Sequence, residues 1–163
     1  MDYDVEVSKL VSPGKLCVLA SRPGVGKSSL ARKVAMLVSN DSKVLIIDLD
    51  DNKVEEEILE NTNITYNRSL SDVDEIVNNI KNNDYTLVVI DYIQLLTSVK
   101  ANLTKLKNIS ERKNICILAI SQLPHSFNFG NITENEFIVD MQLFSDSIVI
   151  LSKQGGIQNL TIV

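Results

Sequence analysis

The sequence has two cysteines, one histidine and no long apolar run, and each shortage narrows what the chain can do. Cys17 and Cys116 lie inside apolar runs, with neither a CxxC pair nor zinc-ligand spacing, so they read as reduced core thiols of a cytoplasmic protein. His125 has no second histidine with which to build a metal site and reads as a polar loop residue. No stretch approaches the ~18 consecutive apolar residues of a membrane span. The opening MDYDVEVSKL lacks both the basic and the apolar region of a secretion signal. Basic residues are also in deficit: 16 Lys and Arg against 21 Asp and Glu give a net charge of −5 and a pI near 4.9. One copy therefore has no broad positive field for a nucleic-acid backbone, which argues against an independent DNA-binding module. A ring or filament that gathers small basic loops from several copies stays open.

At 163 residues and 44% hydrophobic content, with mean hydropathy +0.06, the chain suits one globular domain spanning residues 1–163. A buried strand is expected over residues 15–20, then the glycine-bearing loop SRPGVGK, then a helix with Leu30, Val34, Leu37 and Val38 on one face. Near-continuous apolar runs predict further strands over 43–50, 86–91 and 115–121, as expected of a sheet covered on both sides. Between them, helices are expected in EEEILE, from Ser71 or Asp72 with Val73, Ile76, Val77 and Ile80 inward, and in ANLTKLKNISERKN. A polar and aromatic stretch is expected over 122–140. The end, SIVILSK and QNLTIV around Gly155-Gly156, reads as an antiparallel hairpin. Strands alternating with helices predict an α/β fold: a mostly parallel sheet flanked by helices, closed by that hairpin.

The strongest local signal is S-R-P-G-V-G-K-S, a phosphate loop of the form G-x-x-x-x-G-K-[ST] with Ser21 in the place of the first glycine. The expected nucleotide contacts are Ser21, Arg22, Pro23, Gly24, Val25, Gly26, Lys27, Ser28 and Ser29. Gly24 and Gly26 permit a tight path that turns backbone N–H groups inward, and Lys27 brings a point charge to the β and γ phosphates. Ser28 offers a hydroxyl to Mg²⁺, and the helix that starts there adds its positive end. The sequence thus predicts binding of ATP, or another nucleoside triphosphate, with magnesium. Asp91, ending the third buried strand, is the expected second metal-side residue, set against an ordinary turn carboxylate. Asp50 is favoured over Asp48 as the residue orienting an attacking water, with a simple helix cap as the competing reading. Gln122, just past the fourth core strand, can sense the γ phosphate or merely bond to nearby backbone.

Other features are less specific. Arg22 reads either as a contact to nucleotide or a neighbouring subunit, or as exposed. Lys100, Lys105, Lys107, Arg112 and Lys113 form the densest basic stretch, read as nucleic-acid contact or as a solvated helix face interrupted by Glu111. Phe127 and Phe129 suggest a mobile loop with aromatic tips that would stack on bases or pack against the body.

Taken in order, SRPGVGKSSLARKVA, VLIIDLD, LVVIDYIQLL and ILAISQL resemble the C-terminal motor domain of DnaB-type bacterial and phage replicative helicases, over roughly residues 10–153. The resemblance implies a RecA-like P-loop NTPase fold, hydrolysis of ATP or another nucleoside triphosphate, six-membered rings and movement along single-stranded DNA. It gives Lys27 and Ser28 the phosphate-loop roles, Asp91 the magnesium-site role, and Gln122 the coupling of γ phosphate to DNA-facing loops. Asp50 falls where the family has its catalytic glutamate in S-L-E; here the segment is D-L-D, one methylene shorter. Displacement of a catalytic group by about 1 Å costs about a hundredfold in rate, so weak turnover is expected. The family's N-terminal collar, linker helix and arginine near L-R-E-S-G have no counterpart here, and Lys153 stands near the late basic position. The sequence-based expectation is an ATP-binding and ATP-hydrolysing relative of the helicase motor, coupled to single-stranded DNA only as a homo-oligomer. The competing reading is a catalytically weak nucleotide-binding module of a larger helicase partner, and a small P-loop kinase is a third.

Overall fold

The aliphatic runs that predict strands do form one sheet in a computed structural model, which describes residues 3–96 and 98–163. Met1 and Asp2, at the start of the stretch read for a secretion signal, and Thr97, in the stretch after IDYIQLL, lie outside the described residues. The elements in chain order are α1 (Tyr3–Leu10), β1 (Leu16–Ser21), α2 (Lys27–Val38), β2 (Val44–Asp48), α3 (Glu56–Glu60), β3 (Ile64–Asn67) and α4 (Val73–Lys81). They continue with β4 (Leu87–Asp91), α5 (Val99–Lys113), β5 (Cys116–Gln122), α6 (Glu136–Phe144), β6 (Ser147–Gln154) and β7 (Ile157–Ile162).

The seven strands lie in the order β3-β2-β4-β5-β1-β6-β7. All neighbours pair in parallel except β6 and β7, the antiparallel hairpin. Its turn glycines, Gly155 and Gly156, have φ of 56° and 83°.

Alternation along each strand divides the core into two layers. Leu16, Val18, Leu45, Ile47, Val88, Ile90, Ile117 and Ala119 face α4, α5 and α6, meeting Ile76, Leu106 and Ile138. Cys17, Leu19, Ile46, Val89, Leu118 and Ile120 face α1, α2 and α3, meeting Leu10, Val34 and Ile58. Burial on both faces is why these strands read as continuous apolar runs instead of alternating ones. It also pushes the Cys17 thiol up to about 11 and Cys116 up to about 12, so both stay protonated within the core.

Four expectations need correction. The second core strand stops at Asp48, not Asp50, because the chain turns there around the Asp48 carboxylate. The Asn-rich stretch contains the edge strand β3, which buries only Ile64 and so leaves little hydrophobic signal. A helix, α1, precedes the first core strand. The expected polar stretch over 122–140 passes into α6, whose Ile138 and Met141 are buried. Among the described residues no helix is long and apolar enough to cross a membrane.

Candidate functional site

The phosphate-loop sequence lies at the C-terminal end of β1, in the middle of the sheet between β5 and β6. Ser21, fully buried, ends that strand in extended geometry, and its hydroxyl donates to the Arg22 carbonyl at 2.9 Å. A side chain is tolerated there because the left-handed turn comes later, at Gly24 (φ 77°) and Gly26 (φ 104°). Helix α2 follows at once, with Leu30 N–H donating to Gly26 C=O at 2.9 Å and no acidic residue in its first turn. Its first N–H groups have no partner within the helix, the arrangement that favours an anion.

Parallel pairing brings the remaining candidates to this end. Ser21 is opposite Gln122 on β5, Asp91 on β4 is opposite Ile120, and Asp48 on β2 is opposite Asp91. A cavity of about 340 Å³ results, lined by Pro23, Gly24, Gly26, Lys27, Ser28, Ser29, Arg32, Asp50, Asn52, Asp91, Tyr92 and Gln122. Ser21, Arg22 and Val25 instead form the frame of the loop. Arg22 donates from its guanidinium to the Phe127 carbonyl at 3.0 Å and lies 5.5 Å from the Phe129 ring centre. The Val25 carbonyl accepts from the Gln158 amide at 2.7 Å.

Charges within the cavity are mutually dependent. Burial depresses the Lys27 ammonium, and Asp91 and then Asp50 oppose that shift. Burial raises the Asp91 carboxyl, helped by like-charged Asp48; the Ser28 hydroxyl that donates to it, Lys27 and Arg32 pull the other way. Ser28 and Asp91 are thus two hard oxygen donors side by side, a set that fits Mg²⁺ bridged to phosphate. No group of three or more His, Cys, Asp or Glu suited to an all-protein metal cage exists among the described residues.

Sequence reasoning missed the residues that organise the far wall. Asp48, buried, accepts from the backbone N–H of Asp50 (3.0 Å) and of Asn52 (2.9 Å), and from the Asn52 side chain (3.0 Å). The Tyr66 hydroxyl donates to the same carboxylate, and Arg68 approaches it at 3.6 Å. The Asn52 amide also reaches Asp91 at 3.3 Å, tying β2 to β4. Asp50 sits beyond this turn, exposed at the cavity rim. Arg32, one turn into α2, pairs with Glu55 at 2.7 Å across the same opening. The D-x-x-x-N spacing of Asp48 and Asn52 was a visible turn signal of the Asx type, whereas Tyr66 and Arg68 depend on the β2–β3 pairing.

Outside the cavity, the other candidates resolve differently. Lys100, Lys105, Lys107 and Lys113 of α5 pair with Asp140, Asp74, Asp146 and Asp84, which makes this a charge-compensated helix face. Phe127 is buried and packs edge-to-face against Phe129 and Phe137, so only Phe129 has the exposure expected of an aromatic tip. His125 is exposed. Gln94 donates to the Gln122 carbonyl at 2.9 Å, fixing the end of β5.

No protein-family model and no curated protein matches the sequence. Solved structures do match. The ATPase domain of a DnaB-type helicase is 20% identical with a TM-score of 0.70, over 87% of this chain and 70% of that one. The RadB recombinase is 19% identical with a TM-score of 0.72, over 93% and 81%. A DnaB-like replicative helicase, described with its interactions with primase, is 17% identical with a TM-score of 0.72, over 93% and 55%. At these identities the likeness is one of fold: a RecA-like core of the kind found in DnaB-type helicase ATPase domains.

Proposed function

We propose that residues 1–163 form one nucleotide-binding domain that takes a nucleoside triphosphate with magnesium and hydrolyses it slowly. The observation that carries this reading is the cavity in which the left-handed Gly24 and Gly26 turns, Lys27, Ser28, Asp91, Asp50 and Gln122 converge. Backbone N–H groups of the loop and the start of α2 hold the β phosphate, and Lys27 neutralises the β and γ oxygens. Ser28 and Asp91 would hold magnesium, which when bound neutralises charge on the phosphate oxygens. Asp50 orients water toward the γ phosphate from the rim, and Gln122 senses that phosphate from the end of β5. Arg32 adds a cation in the same chain, held ready by Glu55. Coupling to single-stranded DNA belongs to an assembly of several copies, because the net charge of −5 gives one copy little attraction for a phosphate backbone.

One observation favours a second reading, a nucleotide-dependent module of a larger helicase with little turnover. Asp50 is short and exposed, held by its backbone N–H while its carboxylate is left to solvent. A base that is not held in place contributes less to catalysis.

Phosphate release from Mg-ATP, with and without single-stranded DNA and with Lys27→Ala as control, tests the proposal. Slow release that disappears in the control is expected, with Asp50→Glu accelerating it. Release equal to the control would move the assignment to the nucleotide-dependent module.

A further inference from the structure

The C-terminal hairpin reaches back to the phosphate loop through one side chain. Gln158 lies on β7 opposite Lys153 and belongs to none of the motifs in the sequence. Its amide donates to the Val25 carbonyl at 2.7 Å and covers Gly26 closely: a Cβ built on Gly26 would stand 2.8 Å from Gln158 Nε2. The peptide joining Val25 to Gly26 is planar, so its C=O and N–H point in opposite directions. A hydrogen bond that draws the Val25 carbonyl toward the hairpin therefore turns the Gly26 N–H away from it, toward the cavity that Gly26 lines.

We infer that Gln158 is a positioning residue for the phosphate loop, holding the Val25-Gly26 peptide in its anion-binding orientation before any nucleotide arrives. This rests on the reading of the cavity as a nucleotide site. Glycines at 24 and 26 leave the loop free to take other backbone conformations, so an unrestrained loop would lose entropy on binding that this contact has already removed. The hairpin is well placed to supply the restraint. Its strand β6 pairs with β1 from Cys17 to Ala20, next to the start of the loop, so Gln158 and the loop are anchored to the same rigid strand.

The test uses the full chain with Gln158→Met, which keeps the length without the donor, and Gln158→Lys, which restores a donor. In nucleotide-free protein, amide hydrogen exchange is expected to quicken at residues 24–28 in Gln158→Met while β6 and β7 stay at wild-type rates. The Kd for Mg-ADP is expected to rise ~3- to 10-fold, the worth of one hydrogen bond, and Gln158→Lys to recover part of both effects. Wild-type exchange at residues 24–28 and wild-type affinity in Gln158→Met would overturn the role of Gln158 alone. Faster exchange throughout the hairpin with none in the loop would overturn it as well, by assigning Gln158 to hairpin packing. Wild-type protein that binds no Mg-ADP would overturn the nucleotide reading itself and this role with it.

Discussion

Asp91 is held in its folded environment at a cost. Burial raises its carboxyl, the Ser28 hydroxyl and Lys27 recover only part of the loss, and Asp48 adds repulsion. A carboxyl whose pKa is higher folded than unfolded binds protons more tightly in the folded state, so its contribution to stability is greatest below both values. That contribution falls as pH rises from the ordinary carboxylate range through the raised value, and the deficit remains at neutral pH. Asp91→Asn removes the charge and keeps an acceptor for Ser28. It is expected to raise Tm at pH 7 by ~2 °C or more, with less gain at pH 4, while weakening magnesium-dependent nucleotide binding. Thermal unfolding at the two pH values, beside binding with and without magnesium, reads both effects. Equal or lower Tm at pH 7 would show that Asp91 is not strained in this way. The roles expected of Lys27, Ser28 and Asp91 were legible because each sits within or next to an apolar strand whose position is unmistakable. Gln158 was not, because its contact joins residues 133 positions apart on a strand that carries no motif.

Among the elements, the turn after β2 decides where Asp50 stands. Asp48 gathers two backbone N–H groups, the Asn52 amide and the Tyr66 hydroxyl around one buried carboxylate. Burial and this bond to Asp48 push the Tyr66 hydroxyl well above its usual range, so it remains a donor. Removing the acceptor leaves several of these donors without a partner, and each buried orphan costs ~1–3 kcal/mol. Asp48→Ala is therefore expected to destabilise the fold by ~2–4 kcal/mol in urea unfolding and to lower turnover more than nucleotide affinity, since the loop bearing Asp50 loosens while Lys27 and Ser28 do not move. A loss of affinity larger than the loss of turnover would place Asp48 on the phosphate side instead. The sequence presents D-L-D as a pair of equivalent strand-end aspartates. They differ because the strand ends at the first, and that ending is imposed by side-chain acceptance from residues 50 and 52, which no hydrophobic period records. The edge strand β3 and helix α6 were missed for a related reason: each buries few side chains, so little of their pattern is apolar.

The whole molecule explains why a handful of short motifs scattered between residues 21 and 122 meet in one place. The order β2-β4-β5-β1 sets four consecutive parallel strands side by side, and parallel strands end together. The C-terminal residues Asp48, Asp91, Gln122 and Ser21 therefore share one rim, where the phosphate loop and α2 begin. The sheet was predictable from its apolar runs, and the rim followed from their parallel order. The frame around the loop was not predictable, since Arg22 to Phe127 and Gln158 to Val25 are long-range contacts made by ordinary polar side chains. Every functional role proposed for these residues depends on this rim binding a nucleoside triphosphate with magnesium through Lys27. Titration calorimetry of the full chain with ATP, with and without Mg²⁺, tests that dependence most directly. Saturable one-to-one binding that needs the metal for full strength and disappears in Lys27→Ala is the predicted result. No heat of binding in the wild-type protein, or binding unchanged in Lys27→Ala, would contradict it.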